Sequence, residues 1–262
     1  MTKPSALITG ASSGIGATYA DRLARRGHDL VLVARNTDRM EALAARLRDE
    51  TGVSLDIIPA DLAVDGDIAT VENRLRDDTR IGVLINNAGA ALAGSFDQQD
   101  PADLAQLVAV NTTAVMRLAH AVAPRFVAEG QGAIVNIGSV VGLVPEFGQT
   151  VYGATKAFVQ YLSQGLAHEF GPQGVYVQAV LPAATATEIW ERAGADAASL
   201  PPLMDVGALV DAALAGFDRR EPVTIPPLHN ASQWDAYQAA RIAMIPGFGE
   251  TIPAPRYTTE AE

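Results

Sequence analysis

Short apolar runs alternate with longer amphipathic stretches along most of the chain, and this alternation predicts the fold. Six apolar runs are predicted to be strands, at residues 6–8, 30–34, 55–58, 83–85, 133–137 and 175–181. The first, second, fourth and fifth are nearly continuous apolar runs, which is typical of parallel strands covered on both faces. Strands that alternate with helices favour right-handed crossovers, a parallel sheet and helices on both of its faces.

The amphipathic stretches carry recognisable helix start and stop signals. One helix is predicted from the glycine-rich turn at residues 9–16 to about residue 26. Polar residues that can cap a helix precede four others. The candidate caps are Asn36 or Thr37, Asp65, Asp100 before Pro101, and Asp205. The helices that follow them are predicted to end near residues 49, 77, 128 and 217, respectively.

The last segment differs from the rest because prolines punctuate it from residue 222 onward. Within it, residues 230–245 are predicted to form one helix, with Asn230 and Gln233 at its start and Gly247 as its terminator. This helix could fold onto the body of the protein, form a subunit contact or cover the active site as a flap. We find no linker in the first 225 or so residues. We therefore expect a single domain over residues 1–262, with a substrate loop at about 183–204 and a C-terminal helical, proline-rich extension at about 226–262.

Composition removes several classes of function. The 262 residues are 48% hydrophobic, which is enough for a sizeable core, and the formal net charge of −11 argues against nucleic acid and anionic membranes. There are no cysteines, so disulfides, thiolate nucleophiles and thiolate zinc sites are excluded. The four histidines are scattered, and no metal is implied. The N-terminus lacks a signal-like apolar run, and no apolar stretch could span a bilayer, so we expect a cytoplasmic protein.

A glycine-rich turn follows the first strand, with the sequence Thr9-Gly10-Ala11-Ser12-Ser13-Gly14-Ile15-Gly16. Glycines at this place allow a tight turn and a close approach of a pyrophosphate to the backbone. The helix that begins here offers free N–H groups and the positive end of its dipole to phosphates. Because the turn lies in the first strand–helix unit, it predicts a dinucleotide site.

The turn has the spacing T-G-x-x-x-G-x-G, and further motifs follow it in chain order: Asn86-Asn87-Ala88-Gly89 after the fourth strand, Asn111 in the long helix, Ser139 after the fifth strand, and Tyr152-Gly153-Ala154-Thr155-Lys156 opening the next helix. With these motifs, residues 5–225 resemble the short-chain dehydrogenase/reductase family. The resemblance implies one doubly wound Rossmann-type α/β domain with seven parallel strands in the order 3-2-1-4-5-6-7. It also implies a homodimer or homotetramer, with the helices at about 101–128 and 152–170 in the interface.

The cofactor implied by the resemblance is a nicotinamide dinucleotide. No carboxylate ends the second strand to bind a ribose 2′-OH, and Arg35 there could clamp a 2′-phosphate, although it could also be a solvated surface charge. We therefore expect NADP(H), with NAD(H) possible. One departure is Ala183, where the family has glycine after Pro182, and alanine resists a positive φ. The expected cofactor-binding residues are Gly10, Ser12, Ser13, Gly14, Ile15, Gly16, Arg35, Asp61, Leu62, Asn87, Ala88, Gly89, Tyr152, Lys156, Pro182, Thr185 and Thr187.

The expected catalytic residues are Asn111, Ser139, Tyr152 and Lys156. Tyr152 and Lys156 are four residues apart and share one helix face. A phenol titrates near pH 10, and a neighbouring ammonium lowers that pKa, so Tyr152 could exchange a proton with a substrate oxygen. Ser139 could donate a hydrogen bond to the same oxygen or simply cap a turn. By resemblance, Asn111 holds a water that connects Lys156 to solvent; otherwise, its amide satisfies the neighbouring backbone.

The substrate is the least determined part of the prediction. The two segments expected to wall it are mostly apolar and lack a cluster of basic residues, so we expect an uncharged, fairly hydrophobic carbonyl compound or secondary alcohol. The expected contacts are Ser139, Val141, Phe147 and Trp190. The leading function is thus an NADPH-dependent carbonyl reductase. The alternatives are a catalytically idle NADP-binding sensor or scaffold and, less favoured, a nucleotide-sugar epimerase or dehydratase.

Overall fold

The computed structural model describes residues 3–194, 200 and 202–258, and the chain divides into two compact units, Met1–Pro226 and Pro227–Glu262. The first unit contains a seven-stranded parallel sheet in the order β3-β2-β1-β4-β5-β6-β7, so the predicted fold class and strand order are confirmed. Its strands are β1 (Ser5–Thr9), β2 (Leu30–Ala34), β3 (Leu55–Pro59), β4 (Ile81–Asn86), β5 (Ala133–Ile137), β6 (Tyr176–Val180) and β7 (Val223–Thr224). The α-helices among the described residues are α1 (Gly14–Arg25), α2 (Thr37–Thr51), α3 (Asp65–Asp77), α4 (Pro101–Val108), α5 (Val115–Glu129), α6 (Thr150–Phe170), α7 (Ile189–Arg192), α8 (Val206–Asp218) and α9 (Ala231–Ala243).

Alternate residues of each central strand enter opposite hydrophobic cores. In β1, Ala6 and Ile8 pack into a core shared with α1, α2 and α8, whereas Leu7 packs into a core shared with α3 and α5. Both faces of the strand are therefore covered by helices, and every residue of β1 is buried. This arrangement explains why the strands are continuous apolar runs rather than alternating ones.

Three of the four predicted caps form as expected. The side chains of Asn36, Asp100 and Asp205 accept hydrogen bonds from backbone N–H groups in the first turns of α2, α4 and α8, at 3.0, 2.7 and 2.8 Å. The prediction for Asp65 was wrong by one residue, since Val64 occupies the cap position and Asp65 is the first helical residue. The Asp65 carboxylate instead pairs with Arg117 of α5 at 2.7 Å.

The long helix predicted from residue 101 to about 128 is not a regular α-helix. It consists of α4, a π-helical stretch (Ala109–Ala114) and α5, which ends before Gly130 at a φ of 63°. Wider turns of this kind are frequently found at functional sites. Here the stretch carries Asn111, whose amide is hydrogen-bonded on both sides. A periodic pattern of apolar residues does not reveal the extra residue in the turn.

The second unit contains α9, whose start was predicted correctly. Asn230 Oδ1 accepts a hydrogen bond from the N–H of Ser232 at 3.1 Å. The helix ends at Ala243, before a 3₁₀ stretch (Ile245–Gly249), so Gly247 lies beyond its end rather than terminating it directly. The role of this extension stays a prediction. Within the described part of the chain, no helix is long and apolar enough to cross a membrane.

Candidate active site

A cavity of about 1140 Å³ lies at the carboxyl ends of the strands, where ligands bind in open α/β sheets. It brings together nearly all of the predicted site residues. Asn111 and Gly16 do not line it but pack directly behind residues that do. The predicted residues in its lining are Gly10, Ser12, Ser13, Gly14, Ile15, Arg35, Asp61, Leu62, Asn87, Ala88, Gly89, Ser139, Val141, Phe147, Tyr152, Lys156, Pro182, Thr185, Thr187 and Trp190.

The glycine-rich turn (residues 9–16) and residues 86–89 form what we call the cofactor floor. Gly10 and Gly14 adopt φ values of 65° and 54°, a region that side chains strongly disfavour. A Cβ on Gly16 would lie only 2.3 Å from the carbonyl oxygen of Gly10 and 2.5 Å from Asn87 Nδ2. The first two glycines therefore serve the backbone path, and the third allows close packing.

Thr9 joins the two strands that carry the cofactor floor. Its Oγ1 accepts hydrogen bonds from the N–H groups of Asn87 at 2.9 Å and Ala88 at 3.0 Å. In return, Asn87 Nδ2 donates to the Thr9 carbonyl at 2.9 Å. Thr9 was not among the predicted site residues, although a polar residue that ends an apolar strand at a glycine turn could have indicated it.

Arg35 and Asp61 lie at the end of the cavity next to β2 and β3. The Arg35 side chain is 66% exposed, and its Nη1 lies 3.8 Å from Asp61 Oδ2, beyond hydrogen-bonding distance. The Asp61 carboxylate accepts a hydrogen bond from the N–H of Ala63 at 3.0 Å, which holds it in the turn after β3. The guanidinium of Arg35 thus remains available to an anion in the cavity.

Tyr152 and Lys156 project from α6 into the opposite end of the cavity. The expectation that the pKa of Tyr152 is lowered was wrong, because burial raises it to about 12 and the opposing hydrogen bond comes from Ser139. Burial lowers the pKa of Lys156 to about 8. Lys156 Nζ donates to the Ile137 carbonyl at 2.9 Å and lies 5.6 Å from the centre of the Tyr152 ring. Lys156 is therefore a buried cation beside the phenol, not a surface amine.

Ser139 lies directly after β5 and begins a 3₁₀ turn (Val140–Gly142). Its Oγ donates to the Pro182 carbonyl at 3.3 Å and accepts from the N–H of Val141 at 3.2 Å. A Cβ on Gly142 would lie 2.7 Å from the carbonyl carbon of Lys156, so the turn packs on the backbone of α6. Ser139 therefore both caps a turn and reaches the cavity beside Tyr152, and the two predicted roles are compatible.

Asn111 is buried, and its amide is fully engaged. Oδ1 accepts from the N–H of Ala90 at 2.8 Å, and Nδ2 donates to the Ala90 carbonyl at 3.0 Å and to Thr155 Oγ1 at 3.1 Å. A Cβ on Gly89 would lie 3.4 Å from Asn111 Oδ1 and 3.5 Å from Lys156 Nζ. Asn111 thus ties α6 to the loop after β4 behind Lys156, and its role in a water relay stays a prediction.

Residues 140–149 and 183–194 form what we call the substrate wall. Val141, Phe147 and Trp190 line the cavity, as predicted, and Phe147 is 59% exposed. Trp190 Nε1 donates to the Thr185 carbonyl at 2.8 Å, which leaves the ring as the surface offered to the cavity. Ala183 is not among the residues with positive φ, so alanine causes no strain there. Residues 195–199 and 201 of the predicted substrate loop lie outside the described residues.

The substrate wall also contains an ion pair that the sequence analysis missed. Glu188 binds Arg39 of α2 at 2.7 Å and Arg192 at 2.5 Å, and Arg192 Nη2 donates to Ser13 Oγ at 3.3 Å. The wall is therefore less uniformly apolar than predicted. The four-residue spacing of Glu188 and Arg192 was the one available signal.

In the described ranges, no group of three His, Cys, Asp or Glu residues is placed to hold a metal ion. The arrangement instead offers a glycine-lined floor, an exposed guanidinium at one end and a phenol beside a buried ammonium at the other. These parts suit a phosphate-containing ligand and a proton transfer.

Comparisons with known proteins agree with this geometry. The family model for short chain dehydrogenases matches residues 4–198. A very-long-chain 3-oxoacyl-CoA reductase of Anas platyrhynchos is 34% identical over 191 residues, which cover 70% of this chain and 60% of that protein. The chain thus spans about 60% of the length of the reductase that it matches.

Two solved structures match over nearly the whole chain. A short-chain dehydrogenase from Sphingobium yanoikuyae in complex with NADPH is 64% identical, with a TM-score of 0.96 over 97% of this chain and 100% of that one. A bulky-bulky ketone specific alcohol dehydrogenase from Comamonas testosteroni is 58% identical, with a TM-score of 0.92 over 98% of this chain and 99% of that one. The chain belongs to the short-chain dehydrogenase/reductase family.

Proposed function

We propose that the protein is an NADP(H)-dependent oxidoreductase that interconverts an uncharged, bulky apolar ketone or aldehyde and the corresponding alcohol. The observation that carries this proposal is the convergence of Ser139, Tyr152 and Lys156 on the cavity that the glycine-rich turn also lines. This cavity combines a floor for a dinucleotide with an acid–base group at the far end.

The cofactor floor fits a pyrophosphate. Gly10 and Gly14 expose the backbone of the turn, and side chains at these positions would require a strained φ. The Ser13 side chain makes no capping hydrogen bond to α1, so the first N–H groups of that helix are free for an anion. These residues would hold the pyrophosphate, with Asn87, Ala88 and Gly89 beside the ribose and nicotinamide.

NADP(H) is favoured over NAD(H) by the residues after β2. Arg35 follows the strand where a carboxylate would be needed to bind a free ribose 2′-OH. Its exposed guanidinium can make a bidentate contact with a 2′-phosphate. The relative from Sphingobium yanoikuyae, which is complexed with NADPH, supports this preference.

The residues of the chain then supply the proton. When bound, the cofactor supplies hydride to the carbonyl carbon of the substrate. Tyr152, with a pKa of about 12, is protonated at neutral pH and can donate its phenolic proton to the carbonyl oxygen. The Ser139 hydroxyl, turned away from the Pro182 carbonyl, would donate a hydrogen bond to the same oxygen, and the Lys156 ammonium stabilises the phenolate that remains. The product is an alcohol, and oxidation runs the same steps in reverse.

The substrate wall supports an apolar substrate. Val141, Phe147 and Trp190 present hydrocarbon or ring surface to the cavity, and the Trp190 N–H is already bonded within the wall. Burial of apolar groups against such a wall favours an uncharged ketone. The bulky-bulky ketone specificity in the name of the Comamonas testosteroni relative supports a ketone with two large substituents.

The test is turnover with NADPH and with NADH over a panel of bulky aryl ketones, in wild type and Tyr152→Phe. We expect NADPH-dependent reduction in wild type and a loss of about 10³-fold in kcat/KM in the variant, because its ring cannot donate a proton. NADPH affinity should stay within about twofold, since the ring itself remains. NADPH binding without turnover in wild type would favour the idle sensor, and full activity of Tyr152→Phe would remove Tyr152 from the mechanism.

We also propose that the protein is a homodimer or homotetramer that pairs through α5 and α6. Met116 of α5 is 44% exposed, and Phe158 and Tyr161 of α6 are 37% and 82% exposed. Large apolar side chains clustered on a surface favour contact with another subunit. Light scattering after gel filtration should give a dimer or tetramer mass, and Tyr161→Glu should shift it toward monomer. A monomeric wild type would contradict the proposal.

A further inference from the structure

Arg192 is the last residue of α7, and its guanidinium lies beside the cofactor floor. Its Nη2 donates to Ser13 Oγ at 3.3 Å. Because the Ser13 hydroxyl makes no capping bond with α1, it is available to this partner from the substrate wall. Arg192, Ser13 and Arg35 all line the same cavity. The substrate wall thus contributes a cation to the part of the cavity that the glycine-rich turn lines.

Ion pairs link this cation to α2, the helix that follows β2. Glu188 binds both Arg192 and Arg39, at 2.5 and 2.7 Å. Arg39 lies in the first turn of α2, four residues after Arg35. Arg35 is the residue proposed above to bind the 2′-phosphate of the cofactor. Arg35 and Arg192 thus line one cavity from two different segments of the chain, and Glu188 links Arg192 to the helix that follows Arg35.

Two guanidinium groups in the cavity lining suit a dianionic phosphate better than Arg35 alone. A phosphate monoester carries a charge of about −1.5 to −2 at neutral pH. Arg35 is a single cation, and Asp61 lies 3.8 Å from it. Arg192 adds a second guanidinium to the cavity lining. Its carboxylate partner Glu188 is shared with Arg39, and the hydrogen bond from Arg39 is the main cause that lowers the pKa of Glu188.

We propose that Arg192 is a second ligand for the 2′-phosphate of NADP(H) and that Glu188 holds its guanidinium at the cavity edge until the phosphate binds. This inference rests on the cofactor proposed above. Exposed ion pairs are weak, and the side chains of Glu188 and Arg192 are 42% and 52% exposed, so a dianion can displace the carboxylate. Because Arg192 belongs to the substrate wall, binding of the phosphate also fixes that wall. NAD(H), which lacks the phosphate, does not have this effect.

The experiment measures dissociation constants of NADPH, NADH and adenosine 2′,5′-bisphosphate by titration calorimetry, in wild type and Arg192→Gln. We expect the variant to bind NADPH and the bisphosphate about 10-fold more weakly, since one charge-assisted contact is lost. NADH affinity should change by less than about twofold. The matched control is Arg26→Gln, because Arg26 is also a partly exposed arginine paired with one carboxylate, Asp218 at 2.8 Å, and lies outside the cavity lining.

We expect Glu188→Gln to have the opposite effect on NADPH affinity. Removing the competing carboxylate should tighten NADPH and bisphosphate binding about twofold to threefold and leave NADH unchanged. Hydrogen exchange of the amides at 186–194 should slow on adding the bisphosphate to wild type and not to Arg192→Gln.

The outcomes separate this inference from the proposed function. Unchanged NADH affinity in Arg192→Gln would show that the rest of the site is folded, so misfolding would not account for weaker NADPH binding. If Arg192→Gln weakens NADPH and NADH equally, or weakens neither, the role of Arg192 is overturned and the proposed function stands. If wild type binds neither dinucleotide, the proposed function fails and this inference fails with it.

Discussion

The cofactor floor and the substrate wall line one cavity but are built from different interactions. The floor is a backbone structure, in which Gly16 packs against the Gly10 carbonyl and Thr9 Oγ1 accepts hydrogen bonds from two N–H groups just after β4. The wall is made by side chains, such as the exposed ring of Phe147 and the Glu188 ion pairs. Backbone constraints select particular residues at fixed spacing, whereas side-chain contacts between distant segments do not. The cofactor floor can therefore be predicted from the sequence, whereas the contacts of the substrate wall become known only from the folded structure.

The largest effect should follow from adding one methyl group to the cofactor floor. Gly16→Ala would bring a Cβ within 2.3 Å of the Gly10 carbonyl oxygen and 2.5 Å of Asn87 Nδ2. Because both neighbours are fixed by the sheet, we expect unfolding free energy to fall by about 3 kcal/mol and NADPH binding to be lost. Denaturant titration and calorimetry measure the two effects.

The matched control for this variant is Gly66→Ala in α3, which like Gly16 lies in the first turn of its helix and is outside the proposed subunit contact. A Cβ there meets no atom within 4 Å and the residue has no positive φ, so we expect a gain of about 0.5–1 kcal/mol from helix propensity. Equal unfolding free energies for the two variants would show that the cofactor floor moves to accommodate the added methyl group. The contrast between the floor and the wall would then be wrong.

The second prediction concerns Lys156, where the floor and the wall meet. Its buried ammonium has a pKa of about 8, so it destabilises the fold at neutral pH. We expect Lys156→Met to lose activity yet to gain about 1–3 kcal/mol of unfolding free energy at pH 7. A side chain that costs stability is typical of a functional site.

The sign of the pH dependence follows from the lowered pKa. The folded protein releases the Lys156 proton at about pH 8, whereas the unfolded chain releases it near pH 10.4. Between these values the unfolded state binds more protons, so this group makes wild-type stability rise with pH, and Lys156→Met should lack that rise. Denaturant titrations at pH 7, 8, 9 and 10 measure it. The chain's other lysine, Lys3, is exposed, and Lys3→Met should change neither quantity. A less stable Lys156→Met at pH 7 would contradict the account.

The sequence predicted most of the fold and of the floor for the same physical reason. Continuous apolar runs and cap residues such as Asn36 are local signals, and the glycine turn and the Tyr152–Lys156 pair are short motifs. Two features of the site depend instead on contacts between residues that are distant in the sequence, and the first is the π-helical turn. The π-helical turn at Asn111 depends on hydrogen bonds to Ala90 and Thr155, which are distant in sequence.

The ionic part of the substrate wall was missed for a related reason. Glu188 binds Arg39, 149 residues away in the chain, and no pattern within the segment at 183–194 indicates that partner. The apolar residues Val141, Phe147 and Trp190 were placed correctly because their positions after β5 and β6 determine which cavity they face. Position along a fold is thus predictable from motifs, whereas pairing between two loops requires the folded structure.

The smallest effect on stability should come from the substrate wall itself. Phe147 is 59% exposed, so Phe147→Ala should lower unfolding free energy by less than about 1 kcal/mol. Because its ring lines the cavity, we expect KM for bulky aryl ketones to rise about 3-fold to 10-fold with kcat nearly unchanged, as lost uniform binding requires. The KM for a small ketone that does not reach the wall should stay the same. Phe96 is 61% exposed and lies outside the cavity lining, so Phe96→Ala is the matched control and should alter neither KM. Equal KM changes for large and small ketones in Phe147→Ala would mean that the ring supports the fold of the wall rather than contacting substrate.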